Sequence, residues 1–168
     1  PWQAVSDVMT IFVDSDFAGC HRTRKSTSGG AVLWGCHLIK SWSKTQATIA
    51  LSTGEAELAA AVRGGTEGLG IQALLEEWGF KVLLTVKSDA TAAIGMVKRQ
   101  GLGRVRHLAV ADLWIQQRAR AGHLRFEKFP GKLNPSDLMT KGLDKESVMQ
   151  HMNSLGLRAT PGRSVLAP

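Results

Sequence analysis

Along this chain the apolar positions come first in short runs with the reach of strands. One long stretch at helical spacing follows, and then shorter pieces of both kinds. Residues 8–13 (Val-Met-Thr-Ile-Phe-Val) form a β-rich run that stops at Asp14. The polar stretch from Ala18 to Ser28, with Arg22, Arg24 and Lys25 ahead of Ser26-Thr27-Ser28, reads as a basic loop. Gly29-Gly30 opens a second strand, Ala31–Trp34, and Gly35-Cys36 makes a tight turn into a third, Leu38–Trp42. That spacing predicts consecutive antiparallel hairpins. Ser52-Thr53-Gly54-Glu55 has the form of a capping box and opens a helix from about residue 53 to Trp78. Leu58, Val62, Leu69 and the pair Leu74/Leu75 roughly keep its spacing, and Gly79 is its stop. Gly64, Gly65, Gly68 and Gly70 oppose it, at about 1 kcal/mol each relative to Ala. They predict either close packing on a sheet or a break.

Val82–Lys87 is a fourth strand, with Asp89 just beyond it. Ala90–Arg99 reads as a short helix, Gly101–Arg104 as a loop, and Val110, Leu113 and Trp114 mark one face of a helix over about 106–121. His123–Phe129 alternates as a fifth strand. Asn134-Pro135 is a helix start, an N-cap followed by proline at the first helical position. A last helix runs over about 145–155 and ends at Gly156. The order βββ-α-β-α-α-β-α predicts an α/β fold: a hairpin sheet extended by crossover units. Such sheets bind and react at the carboxyl ends of their parallel strands. Residues 1–156 are read as one domain, and Leu157–Pro168, with two prolines and little pattern, as a flexible tail.

Composition agrees with a single domain able to bury a core unaided: 168 residues, 43% hydrophobic and 21% charged. No apolar run approaches the roughly 20 residues of a membrane-crossing helix. Pro1-Trp2-Gln3 shows neither an initiator Met nor a signal pattern, and reads as the start of a piece cut from a longer polypeptide. Lys and Arg number 21 against 14 Asp and Glu, a net charge of +7, and the pI is near 9.9. A basic domain gathers polyanions, nucleic acid foremost. Cys20 and Cys36 supply no disulfide framework, which suits a reducing compartment. Cys20-His21 and Cys36-His37 look like a zinc quartet, but adjacent strand residues point to opposite faces and do not converge.

Candidate chemistry lies in the acids. Asp14 and Asp16 fall in V-D-S-D-F-A-G, Glu55 and Glu57 in S-T-G-E-A-E-L, Asp89 in V-K-S-D-A, and Asp137 in N-P-S-D-L-M-T-K. Each alone suits a solvated cap or turn. Together they fall at strand ends and helix starts that face one crevice, and grouped acids in a basic chain call for a cation. Oxygen donors without a Cys/His set indicate Mg²⁺ or Mn²⁺.

The stretches V-D-S-D-F-A-G (13–19), R-K-S-T-S-G-G (24–30), S-W-S-K-T-Q-A-T-I-A-L-S-T-G-E-A-E-L (41–58), S-D-A-T-A-A-I (88–94), R-V-R-H-L (104–108) and N-P-S-D-L-M-T-K (134–141) occur in one order. From about residue 8 to 157 the chain resembles the ribonuclease H domain at the C-terminal end of copia-type LTR-retrotransposon Pol polyproteins. The resemblance implies a ribonuclease H-like fold, a five-stranded mixed sheet (three antiparallel strands plus two parallel) flanked by helices. It also implies hydrolysis of the RNA strand of RNA–DNA hybrids during reverse transcription, leaving 5′-phosphate and 3′-hydroxyl ends. Its four acids map onto Asp14, Glu57, Asp89 and Asp137. They are the ligands of two Mg²⁺ ions, which Mn²⁺ can replace, with Asp14 bridging, Glu57 and Asp89 on one ion and Asp137 on the other. Asp16 and Glu55 become neighbours, Asp16 opening the basic loop. The implied partners are the hybrid and the reverse transcriptase domain of the same polyprotein, in a cytoplasmic, reducing setting, virus-like particles included.

Two departures from the family pattern stand out, Cys20 in place of an acid and His107-Leu108-Ala109 in place of H-I-D, and Lys128–Ser136 lacks the loop histidine of many cellular ribonucleases H. None falls on a mapped ligand. On the substrate side, Arg22, Arg24, Lys25, Lys40, Lys44 and Gln46 are candidates for the nucleic acid, and Ser43, Thr45 and Gln46 for the 2′-hydroxyl. Trp42 reads as core. Two other functions compete. A transposase or integrase would take Glu127, 38 residues past Asp89, but from a strand where that class uses a helix, and would leave Glu57 unused. An inactive scaffold would have no use for all four acids.

Overall fold

The computed structural model describes residues 5–101 and 110–158. Five strands form one mixed sheet: β1 Val8–Asp16, β2 Thr27–Trp34, β3 His37–Thr45, β4 Leu83–Ser88 and β5 Arg125–Lys128. Their spatial order is β3-β2-β1-β4-β5. The β1-β2-β3 meander is antiparallel, while β4 runs parallel to β1 and β5 parallel to β4. The helices are α1 Thr53–Glu77, α2 Thr91–Lys98, α3 Val110–Arg120 and α4 Lys145–Ser154, with 3₁₀ turns at Gly131–Leu133 and Pro135–Met139. Among the described residues no helix is long and apolar enough to cross a membrane.

The central strand β1 is paired along both edges, and both of its faces are covered. Met9, Ile11 and Val13 are wholly buried in a core shared with Leu58 of α1, Val97 of α2 and Ile115 of α3. Phe12 packs on the opposite face, with Ala31, Leu33, Leu138, Met139 and Leu155, under the second 3₁₀ turn and α4. Trp42 lies in the first core, stacked over Gly30, whose Cβ would come 2.1 Å from the indole ring. That is the packing expected for it.

The helix over 53–78 is continuous, and its glycines explain how it sits. A Cβ on Gly64 would come 2.4 Å from Val13, one on Gly68 2.3 Å from Ile11, and one on Gly65 2.6 Å from Ile115. Three of the four glycines therefore let α1 lie against the sheet and α3, whereas a Cβ on Gly70 would meet nothing. At the N-terminus, Ser52 Oγ accepts from Glu55 N–H at 3.3 Å, while the Glu55 carboxylate takes Leu51 N–H at 2.9 Å. The box thus closes one residue earlier than its standard form.

Several boundaries differ from expectation. β1 does not stop at Val13: its ladder with β2 continues through Asp14–Gly29 to Asp16–Thr27. Asp14 is therefore inside a strand rather than past its end, and β2 begins at Thr27 inside the expected loop. The ladder with β4 stops at Phe12–Lys87, so beyond that pair the edge of β1 facing β4 is open. β3 is longer than expected, because β2 pairs with it as far as Thr45. β5 is shorter. Asn134-Pro135 starts a 3₁₀ turn and not an α-helix. The R-V-R-H-L motif, residues 102–109 of the expected loop and helix, and 159–168 of the tail lie outside the described residues.

The glycine seating makes a testable distinction. Gly68→Ala should lower stability by about 1–3 kcal/mol through overpacking against Ile11. Gly70→Ala should raise it by about 0.5–1 kcal/mol by relieving the helix of a flexible residue. Chemical denaturation of both variants checks this, and equal effects would contradict the close seating of α1.

Candidate active site

The crevice opens at the carboxyl ends of β1 and β4. Asp14, on β1, is almost entirely buried, at 1% exposure. Glu57 comes from the first turns of α1, and Asp89 follows the last residue of β4. One carboxylate oxygen from each lies within 4.8 Å of the others. Glu57 is drawn in by Ser15 N–H, which donates to its Oε1 at 3.3 Å. Its Oε2 is buried and has no hydrogen-bond partner among the described residues. Behind Asp89 stands Gly131, where a Cβ would come 2.5 Å from the carboxylate, so a side chain there would make the carboxylate shift.

Asp137 belongs to the second 3₁₀ turn, and Asn134 fixes that turn to β1. The buried Asn134 amide donates to Val13 C=O at 2.9 Å, and its oxygen accepts from Ser136 Oγ at 2.6 Å. Gly29 on β2 leaves room for the turn, since a Cβ there would come within 2.6–2.7 Å of Thr140 and Met139. Lys141 Nζ then lies 3.2 Å from Asp14 Oδ1 and 3.0 Å from Asp137 Oδ1. The Thr140 hydroxyl donates to Asp14 Oδ2.

Electrostatics follow from this crowding. Burial, followed by the Asp14 and Asp89 charges, lifts the Glu57 carboxyl from its ordinary 4.5 to about 8. Burial also raises Asp14, with Asp137 adding to it and Thr140 and Lys141 opposing. For Lys141 burial pulls downward, but its contacts with Asp137 and Asp14 outweigh it and the pKa rises. An all-oxygen donor set, mutually repelling and with one buried oxygen unpartnered, fits a hard divalent cation. Among the described residues Asp14, Glu57 and Asp89 form the one cluster of metal-ligating groups, and the two Cys-His pairs form none.

The structure separates the members of each acid pair. The Asp16 carboxylate accepts from Thr27 N–H across the β1–β2 ladder and closes on Gly19, away from the cluster. It is a strand residue holding the base of the basic loop, not the first residue of a mobile one. Glu55 is taken up at the start of α1.

No protein-family model matches the sequence. Over 162 residues, 87% of the chain, it is 32% identical to the retrovirus-related Pol polyprotein from transposon TNT 1-94 of Nicotiana tabacum. It spans only 12% of that relative's length. The fold is similar to the N-terminal RNase H domain of a Mycobacterium tuberculosis protein, with a TM-score of 0.55 at 15% identity over 90% of this chain and 99% of that one. It is equally similar, at TM-score 0.55 and 14% identity, to LC11-RNase H1 solved in complex with an RNA/DNA hybrid, over 78% and 92% of the two chains. The chain is a homologue of retrovirus-related Pol polyproteins of plant transposons, and its fold is ribonuclease H-like.

In this ribonuclease H-fold domain the basic candidates divide. Arg22 and Arg24 are exposed in the loop after β1, which is closed by Arg24 N–H donating to Cys20 C=O at 2.7 Å. Lys25 is half-buried there, and Lys44 is exposed on β3. Lys40 is paired with Glu67 of α1 at 2.6 Å. The Gln46 amide donates to Ser28 Oγ and Ala56 C=O, both at 2.9 Å, and so ties the end of β3 to β2 and α1. Ser43 Oγ donates to Met139 C=O at 2.6 Å. Sequence reasoning missed Thr140 and Lys141 as partners of Asp14. The available signal was a lysine four residues after Asp137 in N-P-S-D-L-M-T-K.

Glu57 gives the metal-free protein a pH dependence. A carboxyl raised from 4.5 to about 8 on folding contributes stability that is full below 4.5 and is lost as pH rises through about 8. In EDTA the melting temperature should therefore fall between about pH 5 and 8, and Glu57→Gln should flatten that fall. A wild-type melting temperature that rises across this range in EDTA would contradict the assignment.

Proposed function

We propose that this domain is a divalent-metal-dependent endonuclease that hydrolyses the RNA strand of RNA–DNA hybrids during reverse transcription of a copia-type retrotransposon. The observation that carries the reading is the convergence of Asp14, Glu57 and Asp89 within 4.8 Å at the carboxyl ends of two parallel strands. Asp137 lies outside that cluster, and we assign it to the site because Lys141 bridges it to Asp14. Asp14, Glu57 and Asp89 would hold one ion, and Asp14 and Asp137 a second. Mg²⁺ suits these donors and Mn²⁺ can replace it. Bound there, the ions supply an activated water and take up charge on the scissile phosphate and the leaving 3′-oxygen.

The protein's own part is placement. Strand pairing holds Asp14, the Ser15 N–H aims Glu57, and Asn134 keeps Asp137 beside β1. Arg22, Arg24, Lys25 and Lys44 offer phosphate contacts beside the crevice, in keeping with a net charge of +7. Hybrid as the substrate is supported by the fold it shares with LC11-RNase H1, which was solved with one. We assign residues 1–156 to this activity, take the reverse transcriptase domain of the same polyprotein as its partner, and expect a reducing, cytoplasmic setting.

The test is cleavage of a labelled RNA–DNA hybrid beside duplex DNA and duplex RNA. Hybrid alone should be cut, with EDTA abolishing the reaction. Asp14→Asn and Asp89→Asn should lower single-turnover cleavage at least about a hundredfold, roughly 2.7 kcal/mol of transition-state energy, with hybrid binding retained. Asp16→Asn, outside the cluster, should lower it about tenfold at most. Hybrid binding without cleavage by the wild type would establish a scaffold instead.

A further inference from the structure

Lys141 stands between Asp14 and Asp137 and has no part in the proposed hydrolysis. Its ammonium spans Asp14 and Asp137 at 3.2 and 3.0 Å. Among the described residues it is the one cation in ion-pair contact with either acid. These are the two carboxylates that would hold the second ion, so the role of Lys141 rests on the two-ion reading of the site. An oxygen that ligates Mg²⁺ does so at about 2.0–2.1 Å. A second positive charge about 3 Å from that oxygen would be strongly repelled by the ion. Ammonium and second ion therefore compete for the same carboxylate oxygens. The lysine has somewhere to go, because its side chain is 41% exposed at the crevice mouth and its stem is flexible. Asp14 is 1% exposed and needs such a counter-charge when no ion is bound.

We infer that Lys141 is a positioning residue that stands in for the second cation. It holds Asp14 and Asp137 in register in the metal-free protein, and loading of the second ion must displace it. The second ion therefore binds more weakly than the first, while the site built by Asp14, Glu57 and Asp89 retains its affinity.

Mn²⁺ titration followed by electron paramagnetic resonance and calorimetry, on the whole chain without nucleic acid, tests this. Lys141→Gln should tighten the weaker Mn²⁺ site about tenfold and leave the stronger one within about twofold. It should also melt lower than wild type in EDTA and gain more from added Mg²⁺. Lys141→Arg, which keeps the charge, should retain both the wild-type melting temperature in EDTA and the weak second site. It decides the matter if the glutamine variant does not fold without metal. A weaker site that is unchanged or loosened in Lys141→Gln, or tightened in Lys141→Arg, overturns the role of Lys141 and leaves the two-ion reading intact. A single Mn²⁺ site in wild type and variants alike overturns the two-ion reading and this inference together.

Discussion

Asp14 is a carboxylate on the central strand of the sheet, sealed from solvent, with Glu57, Asp89 and Asp137 drawn up around it. Charge in such a place is strongly disfavoured unless something of opposite sign meets it. Much of the surrounding architecture is a response to that demand. Thr140 and Lys141 engage Asp14 from one side, and on the other the Glu57 carboxyl tends to keep its proton. A protonated acid and a lysine make the metal-free site tolerable without removing its appetite for cations. A site at ease without them would bind them poorly.

The same constraint explains why packing around the crevice is so close. Glu57 reaches Ser15 only because α1 lies almost on the backbone of the sheet, and it does so through Gly64 and Gly68 against Val13 and Ile11. Larger residues there would lift the helix and carry Glu57 away from Asp14. Gly29 and Gly131 do comparable work for the 3₁₀ turn bearing Asp137 and for the segment behind Asp89. Four glycines, two on α1, one on β2 and one at the start of the first 3₁₀ turn, thus set the spacing of carboxylates to which none contributes an atom.

Polar ties finish the placement. Asn134 joins the 3₁₀ turn to Val13, the residue before Asp14, and Gln46 joins the end of β3 to β2 and α1. Both are amides donating directionally, Asn134 to a main-chain carbonyl and Gln46 to a carbonyl and the Ser28 hydroxyl, and such contacts favour one geometry over its neighbours. Elements that arrive from distant parts of the chain are thereby tied together at the pole of the sheet that carries Asp14. The basic loop beside that pole is built on the Asp16–Thr27 contact and carries the exposed Arg22 and Arg24.

Element order, the three-strand meander, the long helix and the pairs of acids were legible in the sequence, because each rests on local signals: strand-length apolar runs, a capping box, a turn dipeptide. The motif blocks carried the choice of Asp14 over Asp16 and Glu57 over Glu55, which the residue pattern alone left open. Tertiary contacts supplied its physical basis. Asp16 is taken by Thr27, eleven residues on, and Glu55 by the backbone before its own helix, while Asp14 and Glu57 are left facing each other. Likewise, whether the α1 glycines broke the helix or seated it depended on what lay opposite, and Val13 and Ile11 are some fifty residues away. The extent of β1, the engagement of Lys40 and Gln46 within the fold, and the place of Lys141 between two acids are of the same kind. Each is decided by a partner brought in from elsewhere, and sequence distance carries no information about which group that will be.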